Sequence, residues 1–265
     1  MRQKHTKEAL MAVLVMMLIS VSSFVLAGEQ LLISDTFTGT PGSSLANQSL
    51  DNGLAGIGSA TWSNRDKATY TTVSECEFTT PRTLLALGQA CDPTKTYRLR
   101  SLIKPPVGGD PWAFWAGFRI MSTDNDEWAG SAPGITIRFH CDRGGQVGDN
   151  HIWADYWCEG GWWVFADLGA IDPSTDYDGS GYLPAAVEWI GDGSTTNPLT
   201  LKVYLNGNFK SEVTIPDVLP AIMQPAYLCG MVIWTTGAPA PSAIFDDFKL
   251  EIINAFTRVE DWLLY

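Results

Sequence analysis

The stretch Leu199-Thr200-Leu201-Lys202-Val203-Tyr204-Leu205-Asn206-Gly207 decides the fold. Apolar residues occupy every second position, Leu199, Leu201, Val203 and Leu205, against Thr200, Lys202 and Tyr204. A period of two marks a strand with one buried face. Asn206-Gly207 follows at once. A two-residue hairpin turn needs positive φ at both central positions, which Asn and Gly adopt at least cost. Phe209 to Ile215 is therefore expected to return as the antiparallel partner.

The same period runs through the rest of the chain. Phe114, Phe118 and Ile120 fall on one face of the next candidate strand and Trp115 and Arg119 on the other. Ile135, Ile137, Phe139 and Cys141 alternate with Thr136, Arg138 and His140, and Tyr97, Leu99 and Ser101 with Arg98 and Arg100. Helical periodicity is almost absent. Turn-rich stretches at 40–44, 105–111, 142–150, 172–181 and 191–198 separate the strands. Many short strands so punctuated predict an all-β protein, a two-sheet antiparallel β-sandwich of the jelly-roll kind.

Arg2, Lys4 and Lys7 precede an apolar run from Ala9 to Val21, and Val25-Leu26-Ala27 ends it before Gly28. A basic start, a short apolar segment and a small-residue end read as a signal peptide over 1–27, cut after Ala27. The chain is thus expected to be secreted, at the cell surface or in a periplasm. No later run is long and apolar enough to span a bilayer, so no membrane insertion of the remainder is expected. One domain is expected over 28–253, with a tail over 254–265. The formal charge of the whole chain is −12, and the portion beyond Ala27 is more acidic still. That balance argues against nucleic acid and anionic membranes as partners, because both select basic surfaces.

Export permits disulfides. Cys76–Cys91 and Cys141–Cys158 are the local pairings, with Cys229 left over; buried free thiols are the alternative. No C-x-x-C spacing suggests a metal held by thiols.

Ser34-Asp35-Thr36-Phe37-Thr38-Gly39, with Ala60-Thr61-Trp62 further on, resembles the opening of concanavalin A-like, LamG-type jelly rolls. The stretch 199–207 resembles a late hairpin of that group, and Ile244-Phe245-Asp246-Asp247-Phe248-Lys249-Leu250 resembles its final strand. The resemblance implies a glycan-binding sandwich whose ligand lies on one sheet or at its loop edge. It also implies that enzymes on the same fold must be weighed. The E-x-D-x-x-E string expected of family-16-like glucanases, which would set two carboxylates close together for retaining glycoside hydrolysis, does not occur. Polysaccharide lyases on jelly rolls use Arg, His or Gln, and Tyr. Arg138, His140 and Tyr156 supply those types without the alginate-lyase motifs.

Glycan recognition needs aromatic faces for stacking and polar groups for hydroxyls. The non-core positions offer Trp115, Arg119, Arg138 and His140, with Arg98 and Arg100 on a further strand. Arginine forks would favour a uronate or sulfated glycan. The stretch His151–Phe165 adds Trp153, Asp155 and Trp157 in one row, if it is a hairpin turned at Gly160-Gly161. Such a turn sets Trp157 opposite Val164, Asp155 opposite Ala166 and Trp153 opposite Leu168. The bland reading is a sheet surface with solvated arginines and an aromatic core.

The expected function is a secreted, non-catalytic carbohydrate-binding or adhesion module recognising a polysaccharide. Two alternatives stand beside it, a uronate lyase or glycoside hydrolase and a structural surface protein. No cofactor is required. A structural calcium is a further expectation, at Asp35 and Asp247, since the terminal strands of this resemblance usually neighbour each other. Asp172–Gly179 imitates an EF-hand loop but lacks its closing glutamate.

Overall fold

The computed structural model describes residues 29–53, 62, 68–78, 83–87, 92–104, 115–122, 134–140, 150–158, 161–191, 194, 196–215, 228–234 and 242–253. The expected signal peptide and tail lie outside them. The sandwich belongs to a compact unit, Leu31–Ile252; of the other, Met1–Gln30 with Ile253–Tyr265, only Glu29, Gln30 and Ile253 are described.

The described strands are β1 (Gln30–Asp35), β2 (Asn52–Gly53), β3 (Ala68–Tyr70), β4 (Cys76–Phe78), β5 (Thr83–Leu87), β6 (Thr96–Lys104), β7 (Trp115–Ser122) and β8 (Gly134–His140). They continue as β9 (His151–Cys158), β10 (Gly161–Ala170), β11 (Leu183–Ile190), β12 (Leu199–Leu205), β13 (Asn208–Ile215), β14 (Leu228–Trp234) and β15 (Ala243–Ile253). They form two antiparallel sheets. A nine-stranded sheet runs β13-β12-β11-β6-β15-β1-β2, with β4 joining β15 to β3. A six-stranded sheet runs β10-β9-β8-β7-β14-β5. The described residues form an all-β, two-sheet antiparallel sandwich, as the periodicity predicts.

The hairpin that decides the fold forms as expected. Leu205 pairs with Asn208, and Asn206 and Gly207 turn the chain at φ 48° and 76°. Every apolar residue of β12 is fully buried, while Thr200, Lys202 and Tyr204 stay partly exposed. Inward residues of both sheets form one core, with Trp62, Phe118, Phe139, Trp189, Phe245 and Phe248 among its largest members. Burying side chains of this size contributes roughly 1.5–3 kcal/mol each.

The final strand departs from strict alternation, and the departure has a local cause. Phe245 and Phe248 are both fully buried although three positions apart. Asp247 between them takes φ 49°, and its amide donates to Asp246 Oδ1 at 2.7 Å. Aspartate tolerates this left-handed region better than most residues. The kink turns both rings inward, where Phe248 meets Trp62 edge-on and Phe245 meets Phe78.

Cys76 does not bridge Cys91. It is a fully buried free thiol on β4, paired laterally with Tyr70 and Phe245, and its sulfur belongs to the core. Burial pushes that thiol well above its ordinary range. The Cys141–Cys158 pairing lies outside the described residues.

Candidate functional site

Period-two alternation on β7, β8 and β9 divides their residues between two faces. Ala116, Phe118, Ile120, Ile135, Ile137 and Phe139 enter the core. The other face brings together most of the residues singled out from sequence. One cross-strand row runs Arg119, Thr136, Asp155; the next runs Gly117, Arg138, Trp153, Asp167; a third pairs His140 with His151. Trp115 shares this face and tilts toward the His140 ring, centroids 6.5 Å apart.

This face is not the solvated exterior of a sheet. Arg119 has no exposure and Arg138 only 6%, while Trp115, Thr136, His140 and Asp155 are buried too. Buried charge is costly unless paired or hydrogen-bonded. Arg138 Nε meets Asp155 Oδ2 in an ion pair, and the Arg138 guanidinium lies 5.5 Å from the centroid of the Trp115 ring. Arg119 Nη1 donates to Thr136 Oγ1 at 3.0 Å. A uronate at this site would therefore find the Arg138 charge already taken by Asp155.

Two glycines make room for these side chains. A Cβ on Gly134 would stand 3.0 Å from Arg119 Nε and Nη2, so the guanidinium occupies the space a side chain would fill. A Cβ on Gly117 would fall 1.9 Å from the carbonyl oxygen of Ile137 on β8. Gly117→Ala is accordingly expected to lose about 1–3 kcal/mol of stability, the usual cost of overpacking. Urea unfolding followed by tryptophan fluorescence measures it; an unchanged midpoint would contradict the close approach.

His151 and Asp167 carry no role in the sequence reading, yet they complete this face. The His151 ring stacks on Trp153 at 5.7 Å and 28°. Its Nδ1 lies 3.3 Å from Asp167 Oδ1, and that oxygen also accepts the Gly169 amide at 2.9 Å. A register shift between Asp167 and Ala170, with Gly169 at φ 102°, bends β10 to place this carboxylate. The hairpin also turns elsewhere than expected. Cys158 pairs with Gly161 and Trp157 with Trp162, where a turn at Gly160-Gly161 would set Trp157 opposite Val164. A further shift between Val164 and Ala166 brings Asp167 opposite Trp153. Trp157 pairs with Gly134 in the next row, but its side chain and that of Tyr156 lie outside the described residues.

Arg98 and Arg100 belong to the opposite sheet. Arg98, Glu188, Lys202 and Glu212 form one cross-strand row of alternating charge over β6, β11, β12 and β13. Arg98 pairs with Glu188 at 2.7 Å, Lys202 with Glu212 at 2.7 Å, and Arg100 with Glu251 at 2.7 Å. These arginines are structural partners of buried glutamates, not part of the site.

The two carboxylates expected to hold calcium at the terminal strands each have other partners. β1 and β15 do neighbour each other. Asp35, however, is 2% exposed and accepts Trp62 Nε1–H at 2.5 Å and the Phe37 amide at 2.7 Å. Burial pushes its carboxyl up to about 6, against the bonds from Trp62 and Phe37 that favour the charge. Asp247 pairs with Lys249 at 2.6 Å. Among the described residues no group of three or more His, Cys, Asp or Glu can hold a metal ion. The acids of the EF-hand-like loop also have partners within and beside the loop. Asp172 Oδ1 accepts the Ser174 amide at 2.9 Å, Asp178 Oδ1 the Ser180 amide at 2.8 Å, and Asp176 meets Lys210 at 2.8 Å.

No family model matches this chain, and no curated protein does. Solved structures do. A mutant of the alginate lyase Aly36B in complex with alginate tetrasaccharide superposes with a TM-score of 0.48 at 12% identity, over 84% of this chain and 97% of that one. The exoplasmic/lumenal domain of VIP36, in a Ca2+/Man3GlcNAc-bound form, gives 0.47 at 15% identity over 77% and 90%. The carbohydrate recognition domain of Emp47p gives 0.44 at 13% over 84% and 97%. The likeness is one of fold alone.

Proposed function

We propose that this chain is an exported, non-catalytic carbohydrate-binding protein on a LamG-like sandwich, with no nucleic-acid partner and its ligand on the outer face of the six-stranded sheet. One observation carries the reading. Half-buried Trp153 stands on that face beside a dense polar set of Arg138, Asp155, His140 and His151. An indole offers a flat apolar surface to the C–H face of a sugar, and fixed polar groups offer hydroxyl partners. The buried ion pair beneath holds the strands' side chains in place before a ligand arrives, which lowers the ordering cost of binding.

Trp153→Ala is expected to weaken retention in polysaccharide affinity gels by about tenfold or more, since a stacked aromatic contributes more than a kcal/mol. The double variant Trp153→Ala/Trp157→Ala removes both indoles of the row expected from sequence. Retention equal to wild type would sink the reading. EDTA in the same gels asks whether calcium contributes.

A lyase reading draws on Arg138 and His140 sharing one face with Arg119. Cleavage of uronate polymers would raise ultraviolet absorbance, and His140→Ala would abolish the rise. Flat absorbance with retention favours binding. Absence of both moves the chain to a structural surface role.

A further inference from the structure

The outer face of the six-stranded sheet carries two arginines, Arg119 and Arg138, and two aspartates, Asp155 and Asp167, among its described residues. Their accessibility is unequal. The arginine side chains and Asp155 are buried, whereas the Asp167 side chain is 45% exposed and that of His151 33%. Solvent therefore reaches an imidazole, a carboxylate and part of an indole, while the two guanidinium groups of this face are buried. A polyuronate or sulfated chain would meet the Asp167 carboxylate first, on a chain of formal charge −12.

The same three groups suit uncharged hydroxyls. An ionised carboxylate is an acceptor only, and sugar hydroxyls are donors that satisfy it. The Gly169 amide and His151 Nδ1 both engage Asp167 Oδ1, which fixes the carboxylate and leaves Oδ2 as its other acceptor. His151 then has Nε2 as its remaining polar atom, beside the Trp153 ring on which it stacks.

We infer that His151, Trp153 and Asp167 form the contact subsite for a neutral sugar, with Asp167 taking ring hydroxyls and Trp153 the apolar face. This rests on the glycan-binding reading and replaces the uronate or sulfated ligand that the arginines suggest from sequence. The test is affinity electrophoresis of the full chain in gels of xylan, glucomannan or mixed-linkage β-glucan, against alginate and polygalacturonate, at low and high salt. Retention by a neutral polymer, insensitive to salt, is expected. Asp167→Asn, nearly isosteric and partly exposed, should weaken it about tenfold, as loss of a charged hydrogen-bond acceptor does. His151→Ala should weaken it in the same direction, with the unfolding midpoint confirming that both variants fold. Retention only by uronate polymers, reduced by salt and improved by Asp167→Asn, overturns the inference and leaves glycan binding standing. Neutral-polymer binding unchanged in both variants overturns the subsite alone. No retention on any polymer overturns both readings.

Discussion

Asp155→Ala should lower the unfolding free energy by roughly 3–5 kcal/mol, the range for removing one partner of a buried ion pair. The loss comes less from the missing attraction than from what remains. Arg138, with a side chain 7% exposed, would keep a buried charge with its acid gone. Its neighbour in register on β7 is Gly117, which has no side chain, and its guanidinium lies 5.5 Å from the centroid of the Trp115 ring. Replacing both partners with apolar groups of similar size, Arg138→Met/Asp155→Leu, should recover most of the loss, because no charge is then desolvated. Urea unfolding of the wild type, both single variants and the double variant forms a closed cycle. A double variant no more stable than Asp155→Ala would contradict the assignment. If the glycan reading holds, the recovered double variant should still bind more weakly than wild type, which separates the pair's role in positioning from its role in folding.

The fold was legible where local chemistry and tertiary demand coincide. Asn206-Gly207 could be read because a tight turn needs those residue types whatever surrounds them. The opening motif has equally local reasons. Phe37 takes φ 53° behind the Asp35 carboxylate, and Gly39 leaves room for the Tyr70 ring, which a Cβ there would meet at 2.5 Å. Alternation puts Trp115 with Arg119, and Arg138 with His140, on the non-core faces of their strands, and β7 and β8 carry them so. It could not tell that these five side chains, Asp155 included, are buried, because period two reports which residues share a side and not what covers it. Arg98 and Arg100 look the same in sequence and lie on the other sheet, where their partners Glu188 and Glu251 are 90 and 151 positions away. His151 and Asp167 escaped notice for a related reason. Their meeting depends on two register shifts in β10, and an irregular strand leaves no periodic trace.

Asp35 sets the second large expectation, and its sign runs opposite to ordinary acid denaturation. Its carboxyl ordinarily titrates at 3.8 and is pushed up to about 6 in the folded chain, chiefly by burial and further by the nearby Asp51 charge. A carboxyl whose folded value is raised binds its proton more tightly folded than unfolded. Its contribution is complete below 3.8 and is lost as pH rises through 6. A rise of this size corresponds to about 3 kcal/mol. The whole protein will still lose stability in acid through its other carboxylates, so the quantity to measure is a difference. Asp35→Asn keeps an oxygen for Trp62 Nε1–H and removes the titration. Between pH 7 and pH 4 the wild type should gain roughly 2 kcal/mol relative to this variant, most of the full effect. Parallel urea titrations across that window, followed by tryptophan fluorescence, give the difference directly, and other groups largely cancel. A gap that stays constant with pH would mean that Trp62 and the Phe37 amide hold the carboxylate charged throughout. A gap that closes at neutral pH only when calcium is added would instead return Asp35 to the role of a metal ligand, because a bound cation favours the ionised form.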